Sequence, residues 1–124
     1  MLKNEKPIKI SIVEDDPIVA MDMEESFLEA GLEVVSSSAS HSNAMLAAQN
    51  DEADIFTLDF ELGKETSEDV ARILKSRKIP FILISGQVEK AKKHGVFKDV
   101  AHFNKPFRLG SIMTRIKKIF VKTH

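Results

Sequence analysis

Hydrophobic residues in this chain form two alternating patterns. The first is a set of short, continuous apolar runs rich in Val, Ile and Phe, each followed by polar or charged residues. Runs of this length and composition are typical of buried β-strands. They predict strands over residues 8–13, 32–36, 55–58, 81–84 and 100–103.

The second pattern is a set of amphipathic stretches, one after each predicted strand. The first stretch begins with Asp16 as the helix N-cap and Pro17 at the first helical position, and it ends at Gly31. The spacing of Thr66 and Asp69 predicts a capping box that opens the third helix. The other helices are predicted over residues 40–49, 88–94 and 109–120.

Strands and helices therefore alternate strictly, in the order βαβαβαβαβα. This alternation, with continuously apolar strands, predicts an α/β fold in which helices cover both faces of a parallel sheet. By analogy with known doubly wound folds, we expect the flavodoxin-like strand order 2-1-3-4-5. Residues 1–124 show no linker, repeat or low-complexity segment, so we expect a single domain without an output domain.

Composition restricts the chemistry. The chain contains no cysteine, which excludes disulfides, thiolate metal sites and thiol nucleophiles. The net charge is −1, whereas nucleic-acid-binding domains usually carry a strong basic excess, so we expect no nucleic-acid partner. The sequence lacks the long apolar stretch of a signal peptide or membrane span, and we expect a cytoplasmic protein without a membrane partner.

Acidic residues follow two of the predicted strands. Glu14, Asp15 and Asp16 end the first strand, and Asp59 ends the third. In a doubly wound sheet, ligands bind at the carboxyl ends of the strands where the strand order reverses, which here lies between these two strands. Crowded carboxylates repel one another unless a cation intervenes. Mg²⁺ is suited to such a site because it uses a few carboxylates together with waters and substrate phosphate.

The ends of the other two central strands supply groups that phosphoryl transfer requires. Ser85 offers a hydroxyl to a phosphoryl oxygen, and Lys105 offers a cation. Asp59 is the candidate for covalent modification because carboxylate nucleophiles form acyl phosphates. Each of these residues alone is more often a cap or turn residue, and only their joint placement favours a phosphoryl-transfer site.

Four segments together resemble a response-regulator receiver domain over essentially the whole chain. The matching motifs are IVEDDP, TLDFELG, ILISG and FNKPF. The resemblance implies that Glu14, Asp15 and Asp59 hold Mg²⁺ together with the backbone carbonyl of Glu61. It also implies that Asp59 receives phosphate from a histidine kinase, a phosphotransfer protein or a small phosphodonor. The loop after Asp59, with ETS at residues 65–67 and VA at residues 70–71, further resembles the corresponding loop of stand-alone receivers.

The resemblance implies a role for two more side chains at the strand ends. Ser85 matches the Ser/Thr switch residue of the family, and Lys105 matches its phosphate-contacting lysine. A receiver of this kind catalyses only its own phosphotransfer and dephosphorylation, so we do not expect an enzyme acting on other substrates.

Three positions depart from the family pattern. Gly63 and Ser67 stand where proline and glycine are usual, which predicts a loop that is differently shaped or more mobile. His102 stands where a switch Tyr or Phe is common, and an imidazole can titrate near neutral pH. We also expect the Glu61 side chain to point toward the phosphoryl site.

Other functions are compatible with parts of this pattern. A pseudo-receiver would use the same fold as a protein-binding scaffold without phosphorylation. A small phosphohydrolase with an aspartate nucleophile would need a second acid, for which Glu61 has the spacing, and also a cap domain. A flavin-binding protein would need a phosphate-binding loop after the first strand, where three acids would repel phosphate.

Overall fold

A computed structural model describes residues 6–120 of the chain. Seven strands lie within these residues: β1 (Lys9–Val13), β2 (Glu33–Ser38), β3 (Ile55–Leu58), β4 (Glu61–Leu62), β5 (Glu65–Thr66), β6 (Phe81–Ser85) and β7 (His102–Asn104). The helices are α1 (Pro17–Glu29), α2 (His41–Asn50), α3 (Glu68–Ser76), α4 (Val88–Ala91) and α5 (Leu109–Phe120). A 3₁₀ turn over Gly95–Phe97 lies between α4 and β7.

Five strands form one parallel sheet in the order β2-β1-β3-β6-β7. Without the small β4–β5 pair this is the order 2-1-3-4-5, and the predicted flavodoxin-like fold is confirmed. Every residue of the central strand β3 is buried, as the continuous apolar run predicts for a strand covered on both faces.

Alternate residues of each strand contribute to two separate hydrophobic layers. Ile82 and Ile84 point into the layer that contains Phe27 of α1 and Ile116 of α5. Leu83 points into the opposite layer, which contains the alanines of α2, the apolar face of α3 and four phenylalanines: Phe56, Phe60, Phe81 and Phe97. The side-chain period of two along a strand explains this division.

The first helix begins as the sequence predicts. The Asp16 carboxylate accepts hydrogen bonds from the N–H groups of Ile18 (2.9 Å) and Val19 (3.4 Å), and Pro17 takes the first helical position. Gly31, with φ of 90°, follows the end of the helix. This cap fixes the direction in which the chain leaves the acidic end of β1.

Within residues 6–120, no helix is long and apolar enough to cross a membrane.

Four predicted details were wrong. The third helix is capped by Ser67 rather than by a Thr66–Asp69 box, and its cap makes no side-chain hydrogen bond. The residues after Asp59, for which no strand is predicted, form a hairpin in which β4 and β5 pair antiparallel. The fourth helix ends at Ala91 instead of at residue 94, because a turn and the 3₁₀ segment replace its second half. The last strand begins at His102, two residues later than predicted.

Candidate functional site

Adjacent strand ends bring the predicted site residues to one edge of the sheet. In the ladder Val13 pairs with Leu58, and Leu58 pairs with Leu83, so the residues that follow these strands are neighbours. The Asp59 N–H donates to the carbonyl of Val13 (3.0 Å), which holds the start of the loop against β1. The Lys105 N–H donates to the carbonyl of Ser85 (3.0 Å). The sheet therefore fixes the backbone on both sides of the crevice.

Lys105 lies between two buried carboxylates. Its Nζ is 2.8 Å from Oε1 of Glu14 and 3.0 Å from Oδ2 of Asp59. Glu14 is 2% exposed and Asp59 is 7% exposed, so both acids are largely removed from water. Glu14 also accepts a hydrogen bond from the N–H of Asp16 (3.1 Å). The single ammonium of Lys105 therefore forms ion pairs with two buried carboxylates.

This arrangement shifts the pKa of all three groups. Burial raises the pKa of Glu14 and of Asp59, and the hydrogen bonds from Lys105 offset this only in part. For Lys105, burial opposes the charged form, but the hydrogen bonds to Glu14 and Asp59 outweigh it and raise its pKa. The Lys105 ammonium is therefore charged, whereas burial still disfavours the charged forms of Glu14 and Asp59.

Three carboxylates could hold a divalent cation. Ligand oxygens of Glu14, Asp15 and Asp59 all lie within 4.8 Å of one another. Glu14 and Asp59 are buried and Asp15 is exposed, so the group combines a fixed base with one side open to solvent. All-oxygen donors with an open side match the preference of Mg²⁺. Burial raises the pKa of Glu14 and of Asp59, so a nearby cation would favour the charged form of both.

The β4–β5 hairpin is attached to this acidic group through its turn. Gly63, with φ of 65°, donates its N–H to Oδ2 of Asp15 (3.2 Å). Sequence analysis identified Gly63 only as a departure from the family pattern and missed this contact. The signal that could have revealed the hairpin is the glycine itself, since a residue at positive φ favours a two-residue turn between short strands.

The hydroxyl of Ser85 faces a backbone partner rather than an acid. Its Oγ accepts a hydrogen bond from the N–H of Gln87 (2.9 Å), and the side chain is buried. Ser85 therefore lies on the predicted strand end, beside Lys105, while its hydroxyl is used locally at the start of α4.

Glu61 is held by residues next to or within α4. Its two carboxylate oxygens accept from Nε2 of Gln87 (3.0 Å) and from Nζ of Lys90 (3.5 Å). We expected this side chain to point toward the phosphoryl site. The structure shows it joining the hairpin to α4, and sequence analysis did not single out Gln87 or Lys90. The predicted metal contact through the Glu61 backbone carbonyl stays a prediction.

His102 is exposed on β7, with Nδ1 3.5 Å from the carbonyl of Val100. It lies on the edge strand next to β6, and its ring nitrogen faces the backbone rather than the three acids or Lys105. Its predicted role as a switch residue stays a prediction.

Comparisons with known proteins agree with this geometry. The model of the response regulator receiver domain family matches residues 10–117. The transcriptional regulatory protein PdtaR of Mycobacterium tuberculosis is 25% identical over 117 residues, which are 90% of this chain and 56% of PdtaR. This chain thus spans about half the length of the curated relatives it matches.

Solved structures show the same fold. The non-phosphorylated HemR receiver domain from Leptospira biflexa is 26% identical, with a TM-score of 0.77 over 96% of this chain and 98% of the HemR chain. The receiver domain of the sensor histidine kinase PA1611 from Pseudomonas aeruginosa, solved with a magnesium ion coordinated in the active site cleft, is 18% identical. Its TM-score is 0.77, over 91% of this chain and 97% of that chain.

Proposed function

Because the chain belongs to the response regulator receiver domain family, we propose that it is a phosphoacceptor whose Asp59 is phosphorylated in a Mg²⁺-dependent reaction. The single observation that carries the proposal is the position of Asp59. This carboxylate is buried at the end of β3, within ligand distance of Glu14 and Asp15, and 3.0 Å from Nζ of Lys105.

Each residue of the site has a proposed part. Glu14, Asp15, Asp59 and the backbone carbonyl of Glu61 would hold Mg²⁺, which when bound supplies positive charge to the acids and to the phosphoryl oxygens. Lys105 already lies beside Asp59 and supports the transfer by compensating charge on the phosphoryl group. Catalysis then consists of positioning and charge stabilisation.

The reaction transfers one phosphoryl group. A carboxylate oxygen of Asp59 attacks the phosphorus of the donor, a new P–O bond forms, and the bond between phosphorus and the donor breaks. The product is an acyl phosphate on Asp59, and water later hydrolyses it to inorganic phosphate and the free carboxylate. We propose that the domain catalyses only these two steps on itself.

The consequence of phosphorylation would be a shift at the ends of β6 and β7. Phosphorylation adds charge and acceptor oxygens next to Lys105. The Ser85 hydroxyl would exchange its hydrogen bond with Gln87 for one with the phosphoryl group, which would move the start of α4, with His102 on the neighbouring strand responding. A partner that binds this state more tightly supplies the free energy for switching.

The proposed phosphodonor is a histidine kinase or a phosphotransfer protein, and the proposed location is the cytoplasm. Family membership supports the donor class. The proposed location rests on this proposed donor class.

The direct test is incubation with acetyl phosphate and Mg²⁺, followed by intact mass spectrometry. We expect the mass of one phosphoryl group on the wild type and none on Asp59→Asn. Chelation of Mg²⁺, or the pair of substitutions Glu14→Gln and Asp15→Asn, should strongly reduce the modification. An unmodified wild type would indicate a pseudo-receiver scaffold instead. Steady hydrolysis of an unrelated phosphate monoester would indicate a phosphohydrolase.

A further inference from the structure

A cluster of aromatic rings lies beside Asp59. Phe60 follows Asp59 directly in the chain and is 1% exposed. Two rings from the segment between α4 and β7 contact it. The His94 ring has its centroid 5.4 Å from that of Phe60, and the Phe97 ring lies at 5.8 Å and nearly perpendicular to it. Aromatic pairs at these distances attract one another beyond the area that they bury. The residue next to Asp59 is therefore held by the segment that follows α4.

His94 is oriented by an acid of α3. Its Nδ1 lies 3.2 Å from Oε1 of Glu68. The other oxygen of this carboxylate, Oε2, accepts a hydrogen bond from Nη2 of Arg72, one turn further along α3 (2.6 Å). The backbone of His94 is also held, since its N–H donates to the carbonyl of Ala91 (3.0 Å). Arg72 thus fixes the Glu68 side chain, and Glu68 fixes the imidazole against Phe60.

The backbone on either side of Phe60 carries two groups that the proposed reaction needs. Asp59 is the proposed acceptor, and Glu61 supplies the carbonyl proposed as a metal ligand. The N–H of Asp59 donates to the carbonyl of Val13 (3.0 Å), and the carbonyl of Phe60 accepts from the N–H of Ser67 (2.8 Å). These hydrogen bonds fix the chain at two points. The directions of the Asp59 carboxylate and of the Glu61 carbonyl therefore also depend on where the Phe60 ring is held.

The two rings that contact Phe60 differ in their exposure. Phe97 is fully buried and packs against Phe81 as well as Phe60, so it is part of the core. The His94 side chain is 38% exposed. Substitutions of partly exposed side chains usually change stability little, so the fold does not require an imidazole at residue 94. The effect of losing the contact between His94 and Phe60 can therefore be measured in a folded protein.

We propose that His94 is a positioning residue for the phosphorylation of Asp59, an inference that rests on the proposed function. The His94 ring, oriented by Glu68, holds Phe60 in place, and Phe60 fixes the backbone that carries the Asp59 carboxylate and the Glu61 carbonyl. His94 thus acts through Phe60 rather than on the phosphoryl group itself. Phosphoryl transfer depends on positioning, and a small displacement of the attacking group slows such a reaction strongly.

A second histidine at the same end of α3 provides a matched control. The Nδ1 of His41, at the start of α2, lies 3.5 Å from Oε2 of Glu65, and its Nε2 lies 3.6 Å from Oδ2 of Asp69. Like His94, it joins an acid in the first turn of α3 to a neighbouring element. Its partners are carboxylates, whereas the ring of His94 also contacts Phe60. His41→Ala therefore removes an imidazole and its ion pairs while the aromatic contact beside Asp59 is kept.

The test measures the rate of phosphorylation by acetyl phosphate at saturating Mg²⁺, followed by intact mass. We expect His94→Ala to react about three- to tenfold more slowly, because the Asp59 carboxylate is less well positioned. His94→Phe keeps a ring against Phe60 and should recover most of the rate. His41→Ala should react at the wild-type rate, and the urea midpoints of all three variants should stay close to that of the wild type.

Four outcomes would overturn the proposal. They are equal rates in wild type and His94→Ala, equal losses in His94→Ala and His41→Ala, no recovery in His94→Phe, and rate losses that follow lower urea midpoints across the variants. The last of these would indicate that His94 has a purely structural role.

Amide hydrogen exchange of the unmodified, metal-free protein gives a readout that does not depend on phosphorylation. The Ser67 amide, which donates to the carbonyl of Phe60, should exchange at least about threefold faster in His94→Ala than in wild type. The Leu83 amide, which donates to the carbonyl of Ala101, serves as the reference and should not change. Unchanged exchange at Ser67 would overturn the proposal. If the wild type is not phosphorylated while the Ser67 amide responds, the contact between His94 and the chain beside Asp59 stands, and the proposed function is what is overturned.

Discussion

Two regions of this molecule place positively charged side chains in different surroundings. In the acidic pocket, Lys105 lies within 3.0 Å of two carboxylates that are almost completely buried. In the groove along the β7 edge of the sheet, which we call the β7 groove, the lining includes a single carboxylate, Asp99, and five cations: Lys75, Lys78, Lys92, Lys98 and Arg115. The pocket has more negative than positive charge, and the groove has the reverse.

The difference shows which charges the fold requires. A buried carboxylate without compensation is strongly destabilising, so the pocket needs Lys105 for the protein to be stable without metal. Exposed lysines are hydrated and contribute little to stability. The charge of the groove is therefore not required for folding.

Removing one lysine from each region should give the largest contrast. We expect Lys105→Ala to lower the free energy of unfolding of the metal-free protein by about 2 kcal/mol, because Glu14 and Asp59 lose their shared partner and Lys105 is itself only partly exposed. Lys98→Ala should change it by less than about 0.5 kcal/mol. Urea unfolding in the presence of a chelator measures both.

Addition of Mg²⁺ provides the control for this comparison. A cation bound by the three acids should restore much of the stability lost in Lys105→Ala, because it replaces the missing charge. It should have little effect on Lys98→Ala beyond its effect on wild type. Equal destabilisation by the two substitutions would show that the pocket charges are not coupled as the contacts indicate.

The next prediction concerns how the stability of the metal-free protein depends on pH. Burial raises the pKa of Glu14 above its unfolded value of 4.5, so the folded state binds the proton more tightly than the unfolded state does. The slope of stability with pH is then negative in this range: the contribution of Glu14 is most favourable below pH 4.5 and declines as pH rises through the raised pKa. Glu14→Gln cannot titrate and should lose this contribution.

The measurement is urea unfolding of metal-free wild type and Glu14→Gln at several pH values. The variant should gain stability relative to wild type as pH rises toward neutral. Asp22→Asn, a substitution of an exposed acid on α1, serves as the control and should show no such trend. A difference between wild type and Glu14→Gln that is constant with pH would contradict the direction of the shift.

Several features of the fold and of the candidate site could be predicted from the sequence. The sheet order, the Asp16 cap and the convergence of Glu14, Asp59 and Lys105 depend on apolar periodicity and on strand ends, which are local patterns visible in the sequence. The Lys105 contacts follow because parallel strands end at one edge.

The details that could not be predicted depend on contacts between distant segments. The hairpin is held by Gly63 against Asp15, and its Glu61 is held by Gln87, which is 26 residues away. The charge of the groove is hidden by the net charge of −1, because an acidic segment, residues 10–71, and a basic segment, residues 72–120, cancel in the sum. The two segments are already distinct in the sequence, and the strand order places them at opposite ends of the sheet.

A smaller effect is expected at the Glu61 contact, which joins the β4–β5 hairpin to α4. Glu61→Ala removes its hydrogen bonds to Gln87 and Lys90, and with them a negative charge of the hairpin. We expect dephosphorylation to be about two- to fivefold faster, the range that one modest hydrogen bond accounts for. Water would reach the acyl phosphate more easily once the hairpin is released from α4.

The rate is measured by following the decay of the phosphorylated mass after removal of the donor. Glu65→Ala is the matched control, since it removes the same charge from the same hairpin on the side that contacts His41. Glu61→Gln keeps a hydrogen-bonding side chain without the charge and so separates the two causes. Equal decay rates in wild type and Glu61→Ala would end this hypothesis.

The smallest expected effect is at Lys78, where the direction of the change in stability is the informative result. Lys78→Gly should raise the free energy of unfolding by about 0.5–1 kcal/mol, because glycine adopts the left-handed conformation at this position without strain. Lys98→Ala should leave stability unchanged, since Lys98 does not have a positive φ. A gain in stability for Lys78→Gly alone would show that the backbone at this position favours glycine over lysine. A loss of stability would instead place its charge among those that the fold requires, as for Lys105.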